Sequence, residues 1–155
     1  MDKRMKSYQD VLKKMMRYCA YQDRCHQEVR NKIYDAGIYG DMAEQMMAEL
    51  VQDNYLNEER FAISYAGGKF RMKKWGRNRI RFELEKRNVS HYCIRKALLE
   101  IEEEDYIEAL DGIIDEKLQQ HAALGLLLAK DKALKYCTGR GFEIDLVLAR
   151  LRKIN

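Results

Sequence analysis

An all-α fold is what this sequence predicts, on three observations. Its 155 residues contain no proline, so no ring interrupts a backbone hydrogen-bond ladder. Leu, Met, Ala, Glu, Lys and Arg abound while β-branched residues are sparse, a balance that favours helix at nearly every stretch. Apolar residues also recur at helical spacing around three small turn residues.

Those turn residues are Gly37, Asn88 and Gly141, spaced by 51 and 53 residues. Eight positions before them stand Val29, Ile80 and Ala133; four before, Ile33, Leu84 and Cys137; one after, Ile38, Val89 and Phe142. Six after come Ala43, Ile94 and Val147; ten after, Met47, Leu98 and Leu151; thirteen after, Leu50, Ile101 and Ile154. All eighteen positions are apolar. The spacing is that of two amphipathic helices joined by a tight turn, and internal periods of this length mark tandem helical arrays.

The elements follow in order. A leading helix is expected over Tyr8–Tyr18, then a helix ending at Gly37 and another starting two or three residues beyond it. The same sequence of elements repeats with a leading helix over Glu58–Met72, a helix ending at Asn88, and one capped by Ser90. It repeats again with a leading helix over about Asp105–Gln120 and a turn at Gly141. Glycine and asparagine tolerate the left-handed backbone that closes a helix C-terminus. The expected architecture is three tandem three-helix units, 1–53, 54–103 and 104–155, forming an elongated, possibly curved array. One unit of about 50 residues buries little by itself, so neighbours must share apolar faces.

Composition narrows the function. Charged residues make up 35% and hydrophobic residues 46%, which excludes a disordered polar chain. The longest apolar run lies near Leu126–Ala129, far short of a bilayer span, and Met1–Met5 opens with charges; a soluble, cytoplasmic protein with no membrane association is expected. Cys19, Cys25, Cys93 and Cys137 lack CxxC spacing and read as reduced thiols. Cys25 and His26 beside Cys19 have no second ligand pair at finger spacing, so no metal is expected; Cys19, Cys93 and Cys137 read as small core residues and Cys25–His26 as a turn. His26, His91 and His121 stand apart, and no nucleophile elbow, metalloprotease or phosphate-loop pattern occurs. Gly67–Gly68 lies within a helical stretch, where it reads as a kink or a close crossing. The sequence therefore predicts a non-enzymatic protein without cofactor and, lacking a sustained heptad seam, a monomer.

Charge falls in blocks. Residues 1–34 carry net +5, 35–62 carry −6, 63–87 carry +7, 88–116 carry −7 and 117–155 carry +5. Such banding implies a partner with ordered charge. The densest stretch, Lys69, Arg71, Lys73, Lys74, Arg77, Arg79 and Arg81, places seven cations in thirteen residues with no acid among them, interleaved with Phe70 and Trp75. Cations so spaced can neutralise phosphates while an aromatic ring stacks a base or a partner side chain. The alternative is a solvated helix face anchored by Trp75. The acidic counterpart, Glu100 and Glu102–Asp105, suits a helix N-terminal turn.

Two strings carry a resemblance. Tyr55-Leu56-Asn57-Glu58-Glu59-Arg60-Phe61-Ala62 is followed, after the basic stretch begins, by Lys74-Trp75-Gly76-Arg77-Asn78-Arg79-Ile80-Arg81-Phe82-Glu83-Leu84. In this order and at this distance they resemble the RecX family of regulatory proteins, strongest over Asn54–Val89, and Arg140-Gly141-Phe142 resembles that family's turn. Asn88 stands where the family usually has glycine, and Arg77 where it often has proline. The resemblance implies an all-helical protein that binds the RecA filament on single- or double-stranded DNA and restrains its ATP hydrolysis, strand exchange and coprotease activity. The contact residues expected under it are Lys69, Arg71, Lys73, Lys74, Arg77, Arg79 and Arg81, with Trp75 positioning the helix. Arg60 reads either as a contact or as a structural pair. A different class of function, a stand-alone nucleic-acid-binding module acting through 69–81, uses the same residues.

Overall fold

Capping chemistry sets the helix boundaries in the computed structural model, which describes residues 7–155. The side chains of Ser7, Asn57 and Ser90 accept from the backbone N–H of Asp10, Arg60 and Cys93, at 3.1, 2.9 and 3.3 Å, satisfying donors that the helix itself leaves open. Nine α-helices result among the described residues: α1 (Tyr8–Tyr21), α2 (His26–Asp35), α3 (Gly40–Gln52), α4 (Glu58–Lys73), α5 (Arg77–Lys86), α6 (His91–Leu99), α7 (Glu103–Gln120), α8 (Leu126–Gly139) and α9 (Ile144–Arg152). A 3₁₀ turn, Ala122–Leu124, precedes α8. The expected leading helices correspond to α1, α4 and α7. Residues 1–6 of the first expected unit lie outside the described residues.

All three turn residues have positive φ, +90° at Gly37, +59° at Asn88 and +100° at Gly141. Just after each, the N–H of Ile38, Val89 or Phe142 donates back to the carbonyl of Ile33, Leu84 or Cys137 at 3.2, 3.2 and 3.0 Å. That six-to-one bond and the apolar pair it brings together are the Schellman closure of a helix. Two of the recurring apolar offsets are therefore the two halves of one helix stop.

Of the eighteen recurring apolar positions, all are buried except Ile154, which packs half-buried against the core. The helices pack chiefly within successive triplets, α1–α3, α4–α6 and α7–α9. Two apolar cores result. One joins α1–α3 with Leu56; the other runs continuously through α4–α9 and takes in Cys25 from the α1–α2 connection. The accessible surface, 10044 Å², exceeds the about 8,200 Å² expected of a compact monomer of this mass, as two cores in series require.

All four cysteines are buried and free, and burial pushes the Cys137 thiol up to about 11. Two local expectations need correction. Cys25 is the buried N-cap of α2, its N–H donating to Glu28 at 3.1 Å, rather than part of an open turn. Gly67 and Gly68 lie in an unbroken α4 rather than at a kink; the atoms nearest a Cβ at Gly67 belong to the Arg71 guanidinium, and a Cβ at Gly68 would meet nothing within 4 Å, so neither glycine is required by a backbone crossing. Among the described residues, no helix is long and apolar enough to cross a membrane.

Candidate partner interface and the joint behind it

The basic stretch spans the end of α4, the left-handed Lys74 (φ +54°), a two-residue turn and α5. Its members occupy two different environments. Arg77 points inward: Nη1 donates to Glu143 at 2.9 Å, Nη2 to Glu103 at 2.5 Å, and the guanidinium lies 3.8 Å from the Tyr106 ring centroid. Its side chain is only 19% exposed. The Arg77 backbone N–H donates to the Tyr106 hydroxyl at 2.9 Å, and that hydroxyl donates to Glu143. Burial pushes the Tyr106 hydroxyl pKa upward, with Glu143 adding to the shift. Burial alone would raise the Glu143 carboxyl, but hydrogen bonds from Tyr106 and Arg77 outweigh it and hold the group below the usual carboxylate range.

Main chain completes this joint. The N–H groups of Gly76 and Asn78 donate to the carbonyls of Arg140 and Gly141, both at 2.9 Å, and Arg140 donates to the Lys73 carbonyl. Open donors at the start of α5 are thus satisfied by open acceptors just beyond α8. A Cβ at Gly76 would clash with the Gly141–Phe142 backbone, with the Gly141 oxygen at 2.5 Å, and a Cβ at Gly141 would collide with Arg79, whose nitrogen is at 2.6 Å. The tryptophan-glycine and arginine-glycine-phenylalanine strings are two sides of one contact. Phe70, Tyr106 and Phe142 stack behind it, with centroids 5.8 and 5.1 Å apart.

The other cations face outward. Trp75 is half-buried 6.5 Å from Tyr65, flanked by Lys69 at 5.2 Å and Arg79 at 4.6 Å, while Arg87 covers Tyr65 at 4.9 Å. Cations over aromatic faces form a mosaic that can present both charge and a stacking surface. Arg71, Lys73, Lys74 and Arg81 are exposed. Arg81 meets Asn78 at 3.0 Å, and Arg79 lies 3.9 Å from Glu83, which Lys86 and Arg87 also approach.

Arg60 is a structural pair. It donates to Asp23 at 2.7 Å, to the Asn54 side chain and carbonyl at 3.2 and 3.1 Å, and to the Tyr55 carbonyl at 3.2 Å. Part of the charge banding is satisfied in the same way, through Arg30–Glu44, Arg77–Glu103 and Arg150–Asp111. Of the acidic run, Glu103 is held by Arg77, while Glu102 and Glu103 edge a groove of about 530 Å³ with Arg81, Arg95, Leu98 and Leu99. Sequence reasoning missed Tyr106, Glu143 and Arg140 at the joint; only the family-like string at Arg140–Phe142 pointed there.

Helical triplets seated turn on turn, with a cationic aromatic mosaic on the middle one, define the class: a tandem helical protein built on three-helix domains. Residues 57–98 match the sequence model of the RecX second three-helix domain. The chain is similar to the protein named Regulatory protein RecX of Lactobacillus johnsonii, 29% identical over 136 residues, covering 88% of this chain and 50% of that one. It is also similar to the protein of the same name of Bacillus cytotoxicus, 23% identical over 137 residues, covering 88% and 51%. The crystal structure of RecX from Lactobacillus salivarius superposes with a TM-score of 0.87 at 17% identity, over 95% of this chain and 96% of that one. The chain is similar to proteins of the RecX family through its middle triplet and along most of its length. It spans about half the length of the curated relatives it matches.

Proposed function

We propose that this chain is a non-enzymatic regulator that binds the RecA–DNA filament and restrains its recombinase, ATPase and coprotease activities in the cytoplasm. Similarity to these relatives supports the regulatory part, since they bear the designation regulatory protein. The observation that carries the contact is the outward mosaic on the RecX-type domain, Lys69, Arg71, Lys73, Lys74, Trp75, Arg79 and Arg81. Arg77, placed by the sequence in the same set, holds the joint behind that mosaic and acts on binding by fixing its shape. The units 1–53, 54–103 and 104–155 would each meet successive subunits of a helical polymer.

The deciding experiment is a titration of this protein into DNA-dependent RecA ATPase and strand-exchange assays. Inhibition is expected at or below equimolar protein, and the triple variant Arg71→Glu, Lys74→Glu, Arg81→Glu should lose it while keeping its helicity. Unchanged ATPase and strand exchange at equimolar protein would end this reading. The cations beside Trp75 also favour a second reading, direct binding of single-stranded nucleic acid without RecA. That reading expects affinity to fall with salt at a logarithmic slope of about −0.7 per phosphate contacted, and salt-independent affinity would exclude it.

A further inference from the structure

Two positions of the repeated register are filled differently in each triplet. Seven residues before the turn residue, on the helix that ends there, stand Arg30, Arg81 and Leu134; seven beyond it, on the following helix, stand Glu44, Arg95 and Leu148. In the first triplet the two places face each other as an ion pair, Arg30 donating to Glu44 at 2.9 and 3.2 Å. In the last both are half-buried leucines, Leu134 packing on the core. Opposite charges satisfy one site and apolar burial the other.

The middle triplet has arginine at both places. Arg81 on α5 and Arg95 on α6 are exposed and line the groove of about 530 Å³. The ion pairs of α5 run from Arg77, Arg79, Lys86 and Arg87, and among the described residues none involves Arg81 or Arg95. Arg81 donates to the neutral Asn78 at 3.0 Å. Two like charges on one groove repel each other unless an anion joins them, and the carboxylate that does so in the first triplet has no counterpart here. The rest of the lining is partly aliphatic: Leu98 and Ile101 are buried, while Leu99, the last residue of α6, is 82% exposed. At the register of Leu99 the other triplets carry Ala48 and Arg152.

We propose that this α5–α6 groove docks an acidic segment of a partner protein, its carboxylates between Arg81 and Arg95 and a large apolar side chain against Leu98, Leu99 and Ile101. Guanidinium groups match carboxylates in a forked geometry, so the partner supplies the acid that the first triplet supplies for itself. The chemistry differs from that of the mosaic around Trp75. There, cations cover rings; here no aromatic ring lines the groove, and Glu102 and Glu103 edge it, the latter held by Arg77. Those acids repel an unbroken run of phosphates, whereas a peptide can set a neutral or basic residue opposite them. Arg81 is shared with the mosaic, and Arg95 and Leu99 belong to the groove alone.

An amide NMR titration of the whole protein, without DNA or RecA, tests this apart from the proposed function. The probe is a synthetic peptide with a run of aspartates and glutamates beside a leucine–phenylalanine pair. Saturable shifts centred on the groove are expected, with a dissociation constant of about 1 mM or tighter. Lysines in place of the carboxylates should abolish them, and serines in place of the apolar pair should weaken binding at least about fivefold. Arg95→Glu puts an acid where the first triplet has Glu44, so that Arg81 finds its partner within the chain; Leu99→Ser removes the apolar edge. Both positions are exposed, and each variant should keep full helicity by circular dichroism and bind at least about fivefold more weakly. Absence of shifts at millimolar peptide, equal binding of the lysine peptide, or indifference to both substitutions would overturn the proposal. So would a single-stranded oligothymidylate that shifts Arg95 and Leu99 more strongly than the peptide does.

Discussion

Where α2 meets α4 and the α5–α6 turn, the contacts run between side chains: Arg60 to Asp23 and Asn88 to Gln27. Where α5 meets α7 and the α8–α9 turn, backbone meets backbone, and side chains only lock what the main chain has set. Position twelve before the turn residue is Cys25 at the first joint and Gly76 at the second. One register thus serves two chemistries. A joint made by side chains tolerates a Cβ; a joint made by main chain demands glycine on both sides.

Breaking the main-chain joint should have the largest effect. Gly76→Ala places a methyl group against backbone that cannot rotate away, so the bonds from Gly76 and Asn78 part and Phe142 and Tyr106 lose cover. A loss of about 3 kcal/mol or more is expected in urea unfolding. Cys25→Ala, the counterpart at the first joint, removes one sulfur from a buried site and should cost about 1 kcal/mol. Equal losses would show that the two joints do not differ as described.

The next comparison is between the two arginine locks. Arg77→Ala removes the cation paired with the half-buried Glu143, leaving its carboxylate the Tyr106 hydroxyl and its own backbone N–H, and should cost about 2 kcal/mol, since the site is partly open to water. Arg60, whose side chain is more exposed, should cost about 1 kcal/mol or less. Acid sharpens the contrast. Because the folded Glu143 carboxyl titrates below its unfolded value, its stabilisation is present above the ordinary carboxylate pKa of about 4 and is lost as pH falls through the folded one. Stability of the wild type should therefore drop steeply below about pH 4, with a shallower drop in Arg77→Ala. Parallel acid limbs for the two proteins would place the acid-sensitive group elsewhere.

These locks also mark the limit of what the sequence could tell. The helix stops, the Ser90 cap and the buried offsets were legible because each depends on neighbours four or five residues away, and the chain order supplies those. Arg77 was not, because its partners lie 26, 29 and 66 residues distant; within the run of cations nothing local separates it from Arg81. Trp75 was legible as an aromatic among cations, and its half-buried seat beside Tyr65 accommodates both an anchoring and a stacking role. Charge banding read as a signal to a partner, yet several of its opposite charges meet within the molecule.

The smallest effect belongs to the turn residues, where the same left-handed backbone is filled by asparagine in one joint and glycine in the other. At Asn88 a side chain has room, and its amide bridges to Gln27 at an exposed site. Asn88→Gly exchanges that bond, worth about 0.5–1 kcal/mol, for relief at positive φ, offset by the greater freedom glycine has when unfolded. A net change within about 0.5 kcal/mol is expected. Gly141→Asn meets both a φ of +100° and the Arg79 backbone, so it should cost several times more. If Asn88→Gly instead lost about 2 kcal/mol in urea unfolding, the single amide bridge to Gln27 would be holding the first joint, and side-chain contacts there would be as unforgiving as the glycine pair.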